Sequence, residues 1–171
     1  EHSIELHLPY IAKAMQGLGD YTIVPIMVGN LTEDSQGLYG TLLAPYLDDP
    51  QNFFVVSSDF CHWGSRFRYQ PFDKTSYGQN LAIWEYIDRL DHEGMGCIEE
   101  MDPRKFSQYL ARTENTICGR YPISVLLHML TNSHTPRTIQ FLAYKQSSKV
   151  QGKNDSSVSY ASATVWDRSR S

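Results

Sequence analysis

Cys61 and His62 stand side by side in Phe53-Phe-Val-Val-Ser-Ser-Asp-Phe-Cys-His-Trp-Gly64, where four consecutive apolar residues give way to a polar turn. A thiol becomes a nucleophile or a soft metal ligand on ionisation, and an imidazole exchanges protons near neutral pH. Ligands of open α/β sheets bind just beyond the carboxyl ends of strands. An imidazole delivered there, after Asp59 and before Gly64, is therefore a site candidate. The competing reading is a loop histidine hydrogen-bonded to Asp59 for structure alone.

A second chemical stretch is Asn115-Thr-Ile-Cys-Gly-Arg-Tyr-Pro122, followed by the apolar stripe Ile123, Leu126, Leu127 and Leu130. That stripe has helical periodicity and puts Cys118 at or just before a helix N-terminus. The helix dipole and Arg120 both favour a thiolate, so Cys118 is the cysteine best suited to bind metal or attack an electrophile. A buried small hydrophobe is the alternative. Arg66 and Arg68 alternate with Phe67 and Tyr69, a composition that can clamp a phosphate and stack a ring. Equally, the two aromatics can pack under the loop while the arginines face water. His2 and Glu5, three residues apart with His7 close by, match the spacing of metal ligands and also that of an ordinary surface pair. His92 and Cys97 have no ligand-like neighbours, and His128 reads as a surface or satisfied core histidine.

The elements that must position these residues follow from periodicity. Ile4, Leu8, Ile11, Met15 and Leu18 predict a helix over 3–18 whose main part restarts at Pro9. Thr22–Gly29 and Phe53–Val56 read as buried strands, with Pro25 forcing a free edge or a bulge in the first. Between them Thr32, Glu33 and Asp34 start a helix with Leu38, Leu42, Leu43 and Tyr46 on its apolar face, closed by Pro45 and Asp48-Asp49-Pro50. Helix, strand, helix, strand predicts a parallel sheet with helical crossovers. Leu81–Leu90, a short turn around Met95–Met101, and a helix opened by Asp102-Pro103 then form a helical cap. Thr138–Tyr144 and Val158–Val165 read as final strands, with 146–156 an exposed mobile loop and 166–171 a polar tail.

Composition bounds the rest. The chain has 171 residues, 41% hydrophobic and 20% charged, which suits one globular domain. A net charge of −4 gives no general attraction to nucleic acid or anionic membrane. No apolar run approaches the roughly 20 residues of a membrane span. Three scattered cysteines suggest no disulfide framework and fit a reducing compartment. The chain opens at Glu1 without an initiator Met and is expected to be a piece of a longer protein.

Four motifs, Glu1-His-Ser-Ile-Glu-Leu-His-Leu-Pro-Tyr10, Phe54–Gly64, Asn115–Arg120 and Asp155-Ser-Ser-Val-Ser-Tyr-Ala161, together resemble the Memo family, mediators of ErbB-receptor-driven cell motility. The resemblance runs in order along essentially the whole chain. It implies that residues 1–171 are the carboxyl-terminal part of a single Memo-like domain. The implied fold is similar to LigB-type class III extradiol dioxygenases: α/β, a three-layer sandwich with a mostly parallel central sheet, here an incomplete piece. In such dioxygenases two histidines and a carboxylate hold iron, and a further histidine is acid and base. Memo-like proteins carry a cysteine at the carboxylate position, which falls on Cys118, and the acid/base histidine falls on His62. The remaining histidine ligands are expected upstream of this chain. A thiolate with imidazoles suits iron or copper.

The resemblance further implies a cytoplasmic, and also nuclear, signalling protein. Its partner would be the phosphotyrosine peptide of a receptor tyrosine kinase tail or of that receptor's adaptors, bound in the same pocket. Arg66, Arg68 and Arg120 would supply counter-charges to the phosphate, with Asp59, His2 and Glu5 in support. Two further readings stay open on the residues themselves. One is a metal-dependent redox enzyme with Cys118 as ligand and His62 as proton shuttle. The other is a Cys118–His62 thiol hydrolase without metal.

Overall fold

A computed structural model describes residues 2–73, 75, 77 and 81–168. The helix expected at the amino end is two pieces, α1 (His2–Glu5) and α2 (Leu8–Ala14). Pro9 lies in the first turn of α2, where a missing N–H leaves no bond unmade. α3 (Glu33–Asp48) is capped by Thr32, whose Oγ1 accepts from Ser35 N–H at 3.2 Å. It continues through Pro45 rather than ending there.

The face α3 buries is not the leucine face. Leu38, Leu42 and Tyr46 are exposed, whereas Gly40 and Ala44 are buried against α6 (Arg120–Asn132). A Cβ on Gly40 would lie 2.2 Å from His128 Cβ, so the two helices approach at a distance only glycine permits. Side-chain size at the contact overrode the hydrophobic pattern.

α4 (Ile83–Glu99) is one helix spanning the Leu81–Leu90 segment and the turn expected after it. Gly94 sits in its middle because Tyr109 of α5 (Pro103–Thr113) crosses there; a Cβ would meet that ring at 2.8 Å. Asp102 caps α5, accepting from Arg104 N–H at 2.9 Å, with Pro103 at the first position. α4 packs on α5 and on the sheet, as a helical cap should.

Among the described residues the sheet has three strands in the order β1-β3-β2, all antiparallel: β1 (His62–Trp63), β2 (Arg137–Gln146) and β3 (Ser157–Asp167). The last two strands lie where the alternation of apolar residues places them. A register shift between Phe141 and Ala143 pushes Leu142 out to 63% exposure. Ile139 and Phe141 face inward before this bulge; Tyr144 and Gln146 do so after it. The 146–156 loop is anchored, which corrects the expectation of a mobile one. Val150 is fully buried, its carbonyl accepts from Trp84 N–H at 3.2 Å, and Asp155 Oδ2 accepts from the N–H groups of Gln151 and Gly152.

The two strands expected at 22–29 and 53–56 are not strands. Among the described residues neither segment pairs with another, and the strand pairings present are antiparallel. Val24, Met27 and Phe53 are exposed, Phe53 at 86%. An apolar run specifies a backbone fit for burial, but a strand exists only where a neighbour takes its N–H and C=O groups. Accessible surface reflects this: 11165 Å², against about 8,600 Å² for a compact monomer of this mass. The core lies elsewhere, around Trp63, Ile87, Leu90, Phe106, Ile117 and Leu127. Among the described residues no helix is long and apolar enough to cross a membrane.

Candidate functional site

Residues 60–63 hold their course because β3 takes their backbone. Phe60 N–H donates to Ser159 O at 2.8 Å, Ser159 N–H to Cys61 O at 2.9 Å, and His62 pairs with Val158. Gly64, at φ 137°, then turns the chain; a Cβ there would strike Ser156 at 2.7 Å. The turn runs into the short 3₁₀ helix Ser65–Phe67, which folds the Phe67 ring back to 5.1 Å from the His62 ring.

The loop before α6 docks onto this segment through three clasps. Thr116 Oγ1 accepts from His62 N–H at 2.7 Å and lies 3.2 Å from His62 O. Asp59 N–H donates to Cys118 Sγ at 3.1 Å while Cys118 N–H donates to Asp59 O at 3.3 Å. Gly119 N–H donates to Ser58 Oγ at 3.0 Å, at an approach where a Gly119 Cβ would lie 2.4 Å from Ser58 Cβ. Neither Ser58 nor Thr116 is a site candidate from the sequence, and Phe67 is one only as a ring in the Arg66–Tyr69 segment. The polar run Ser57-Ser58-Asp59 was the signal available.

Together these contacts make the one group of three or more His, Cys, Asp and Glu side chains, among the described residues, close enough to share an ion. Asp59, His62 and Cys118 each offer a donor atom, and all three atoms lie within 4.8 Å of one another. His62 Nε2 is 3.4 Å from Asp59 Oδ2. That is within reach of an ion pair, yet Nε2 has no hydrogen-bond partner although the atom is buried. A buried imidazole nitrogen without a partner is costly unless something binds it. The donor set, one thiol, one imidazole and one carboxylate, fits a soft or borderline transition metal better than calcium or magnesium.

The remaining sequence candidates divide. Arg66 is exposed and stacks its guanidinium 4.5 Å from the Phe67 centroid. Arg68 is exposed in the left-handed region at φ 55°. Tyr69 packs under the loop and donates to Thr113 O at 2.8 Å, while both arginines face water. The Arg120 guanidinium lies 4.8 Å from the Tyr121 centroid, and Nη1 donates to Ile117 O. It lines a neighbouring cavity of about 490 Å³ with Thr116, Glu114 and Ser107. His2 and Glu5 are exposed on α1 and belong to no group of potential ligands among the described residues. Cys61 is fully buried, and burial, with the Asp91 charge behind it, pushes its thiol well above the usual range. It is a packing residue. Burial likewise raises the Cys97 thiol, with Glu93 and Glu100 adding to the effect.

The family model described as Memo-like protein matches residues 1–164. The chain is similar to Protein memo-1 homolog of Caenorhabditis elegans, at 48% identity over 171 residues, covering 97% of this chain and 47% of that protein. It is similar to Protein MEMO1 of Rattus norvegicus at 51% identity over 169 residues, covering 96% of this chain and 56% of that protein. Protein MEMO1 of Homo sapiens is 50% identical over the same length and coverage. The chain spans about half the length of the curated relatives it matches.

Proposed function

The chain belongs to the Memo-like protein family, and from that premise we propose a signalling protein whose working centre is the Asp59–His62–Cys118 cluster. The observation that carries this reading is the convergence of three unlike donor atoms within 4.8 Å, with His62 Nε2 buried and unpartnered. Cys118 Sγ, His62 Nε2 and an Asp59 oxygen are the atoms of this chain that would hold iron or copper, and the bound ion would supply one-electron redox chemistry. This chain's residues do the positioning. Asp59 N–H steadies the sulfur, Thr116 Oγ1 holds the His62 backbone, and the Phe67 ring covers one side of the imidazole. Without the ion, His62 Nε2, 3.4 Å from Asp59 Oδ2, is placed to hold or pass a proton instead.

Metal analysis of the purified protein, set against Cys118→Ser and His62→Ala, tests this reading. Stoichiometric iron or copper in the wild type, lost in both variants, is expected; equal metal content in all three would overturn it.

A second ligand is supported by the Phe67 ring, which lies 5.1 Å from the His62 ring and carries the Arg66 guanidinium stacked on it. We propose that a phosphotyrosine peptide of a receptor tyrosine kinase, or of its adaptor, binds there. Its ring would pack against Phe67 and its phosphate against Arg66, linking the receptor to cell motility in the cytoplasm. Architecturally, the proposal is the carboxyl-terminal part of one three-layer, LigB-like domain with a mostly parallel sheet. The unpaired apolar segments 22–29 and 53–56 support it, as strands awaiting neighbours, together with the extent of the match to relatives.

A further inference from the structure

Asp91 lies in the middle of α4, a helix that contributes no donor atom to the cluster, and its side chain is 0% exposed. A carboxyl buried this deeply must have partners, and it has them on both loops that build the site. Oδ1 accepts from Cys61 N–H at 3.2 Å and from the Asn115 side-chain amide at 2.9 Å. Cys61 is the neighbour of His62, and Asn115 stands three residues before Cys118. Oδ2 accepts from Tyr144 O–H at 2.8 Å, and Tyr144 points inward because of the bulge after Phe141. Asn115 is held in turn by Tyr109, whose Oη accepts from its amide at 2.7 Å and whose O–H donates to Leu90 O.

Neither loop has regular structure of its own. Residues 52–61 and 114–117 are irregular backbone, and β1 begins only at His62. Their direct clasps, Thr116 to His62, Cys118 to Asp59 and Gly119 to Ser58, each include at least one half-exposed or exposed residue, although Gly119 itself is buried. The Asp91 bridge joins them through three residues that are all buried, Asp91, Cys61 and Asn115.

We propose that Asp91 is the positioning residue of the site: one buried carboxylate oxygen ties the His62 loop to the Cys118 loop and so sets the separation of their donor atoms. The inference rests on the reading of Asp59, His62 and Cys118 as the working centre. Asp91 touches no ligand and acts only through Cys61 and Asn115. Tyr144, on the other oxygen, supports the carboxyl without joining the loops.

Two measurements on the same variants test this. The first is amide hydrogen exchange at His62 and Cys118, whose N–H groups bond to Thr116 and Asp59 and not to Asp91. The second is titration with cobalt(II), read by its thiolate charge-transfer band. Asp91→Ala is expected to speed exchange at His62 and Cys118 about tenfold relative to core amides of α4 and α5, and to weaken cobalt binding by about the same factor. Asp91→Asn keeps an acceptor for both loops and should stay within about threefold of wild type. Tyr144→Phe, and Ile139→Ala as a control for general destabilisation, should lower the melting temperature without this local pattern. Should Asp91→Ala fail to fold, Asn115→Ala cuts the other end of the bridge and should give the same selective loosening.

Exchange that rises evenly across the core in the bridge-cutting variant, with cobalt affinity equal to that of Ile139→Ala, would assign Asp91 to packing alone. If wild-type protein takes up no cobalt, the metal reading of the centre fails. The exchange pattern then decides the Asp91 inference by itself.

Discussion

Replacing Gly119 by alanine should damage the site more than the fold. The backbone at Gly119 has φ −85°, so alanine meets no conformational strain there. The obstacle is space: the new Cβ would lie 2.4 Å from Ser58 Cβ, 2.5 Å from Ser58 Oγ and 2.6 Å from Ser57 O. Ordinary carbon contacts lie at about 3.5–4.0 Å, so the start of α6 must withdraw from the 57–59 segment by about 1 Å. Overpacking of this kind costs about 1–3 kcal/mol. In a chain of this size that lowers the melting temperature by about 2–12 °C.

The withdrawal acts directly on the cluster. Gly119 N–H loses Ser58 Oγ, and Cys118 Sγ, held at 3.1 Å from Asp59 N, moves with it. Ligand distances in a metal site tolerate only about 0.2 Å. A shift of about 1 Å should therefore cost at least a factor of about ten in metal affinity, measured by competition against a chelator. Ser58→Gly in the same chain removes two of the three clashing atoms and should recover part of the lost stability. Gly119→Ala with wild-type melting temperature and wild-type metal affinity would refute the reasoning, because the docking would then not depend on close approach.

Two further outcomes follow from charge. Burial disfavours ionised Asp48, but Ser133 O–H, His134 N–H and the Arg137 guanidinium donate to it and hold its carboxyl far below the usual range. A depressed carboxyl adds stability above its unfolded value of about 4, and that stability is lost as pH falls below it. Asp48→Asn should therefore cost about 2 kcal/mol at pH 7 in urea unfolding and flatten the acid limb of the stability curve; an unchanged acid limb would contradict this. His128 behaves oppositely: burial against α3 lowers it, with Glu33 pulling it partly back. Its folded form resists protonation, so stability should fall as pH drops below about 6.5. His128→Asn should lose less melting temperature than wild type between pH 7.5 and 5.5, and equal losses would exclude His128 as the source.

Local signals carried the sequence a long way. Pro9, Thr32, Asp102 and Pro103 mark helix starts through missing or capped N–H groups, and the residues that do so are neighbours in the chain. Cys118 is legible as a helix-start thiol for the same reason, whereas the preference for His62 over Cys61 comes from the family resemblance and not from any local signal. The helix face of α3 misled because packing against α6 is decided by glycine at one crossing point, which no periodicity encodes.

What the sequence determined by itself is a set of local preferences: which segments turn, which coil and which carry ionisable groups fit for metal or phosphate. Tertiary structure alone decided which of them meet. Asp59 and Cys118 are fifty-nine residues apart and share a reciprocal pair of bonds, while Asp91 reaches both loops from a helix that no spacing rule connects to either. Strand identity was likewise settled by neighbours. The apolar runs at 22–29 and 53–56 prefer extended backbone, but a strand's hydrogen bonds belong to two segments at once, and among the described residues these runs have no second segment.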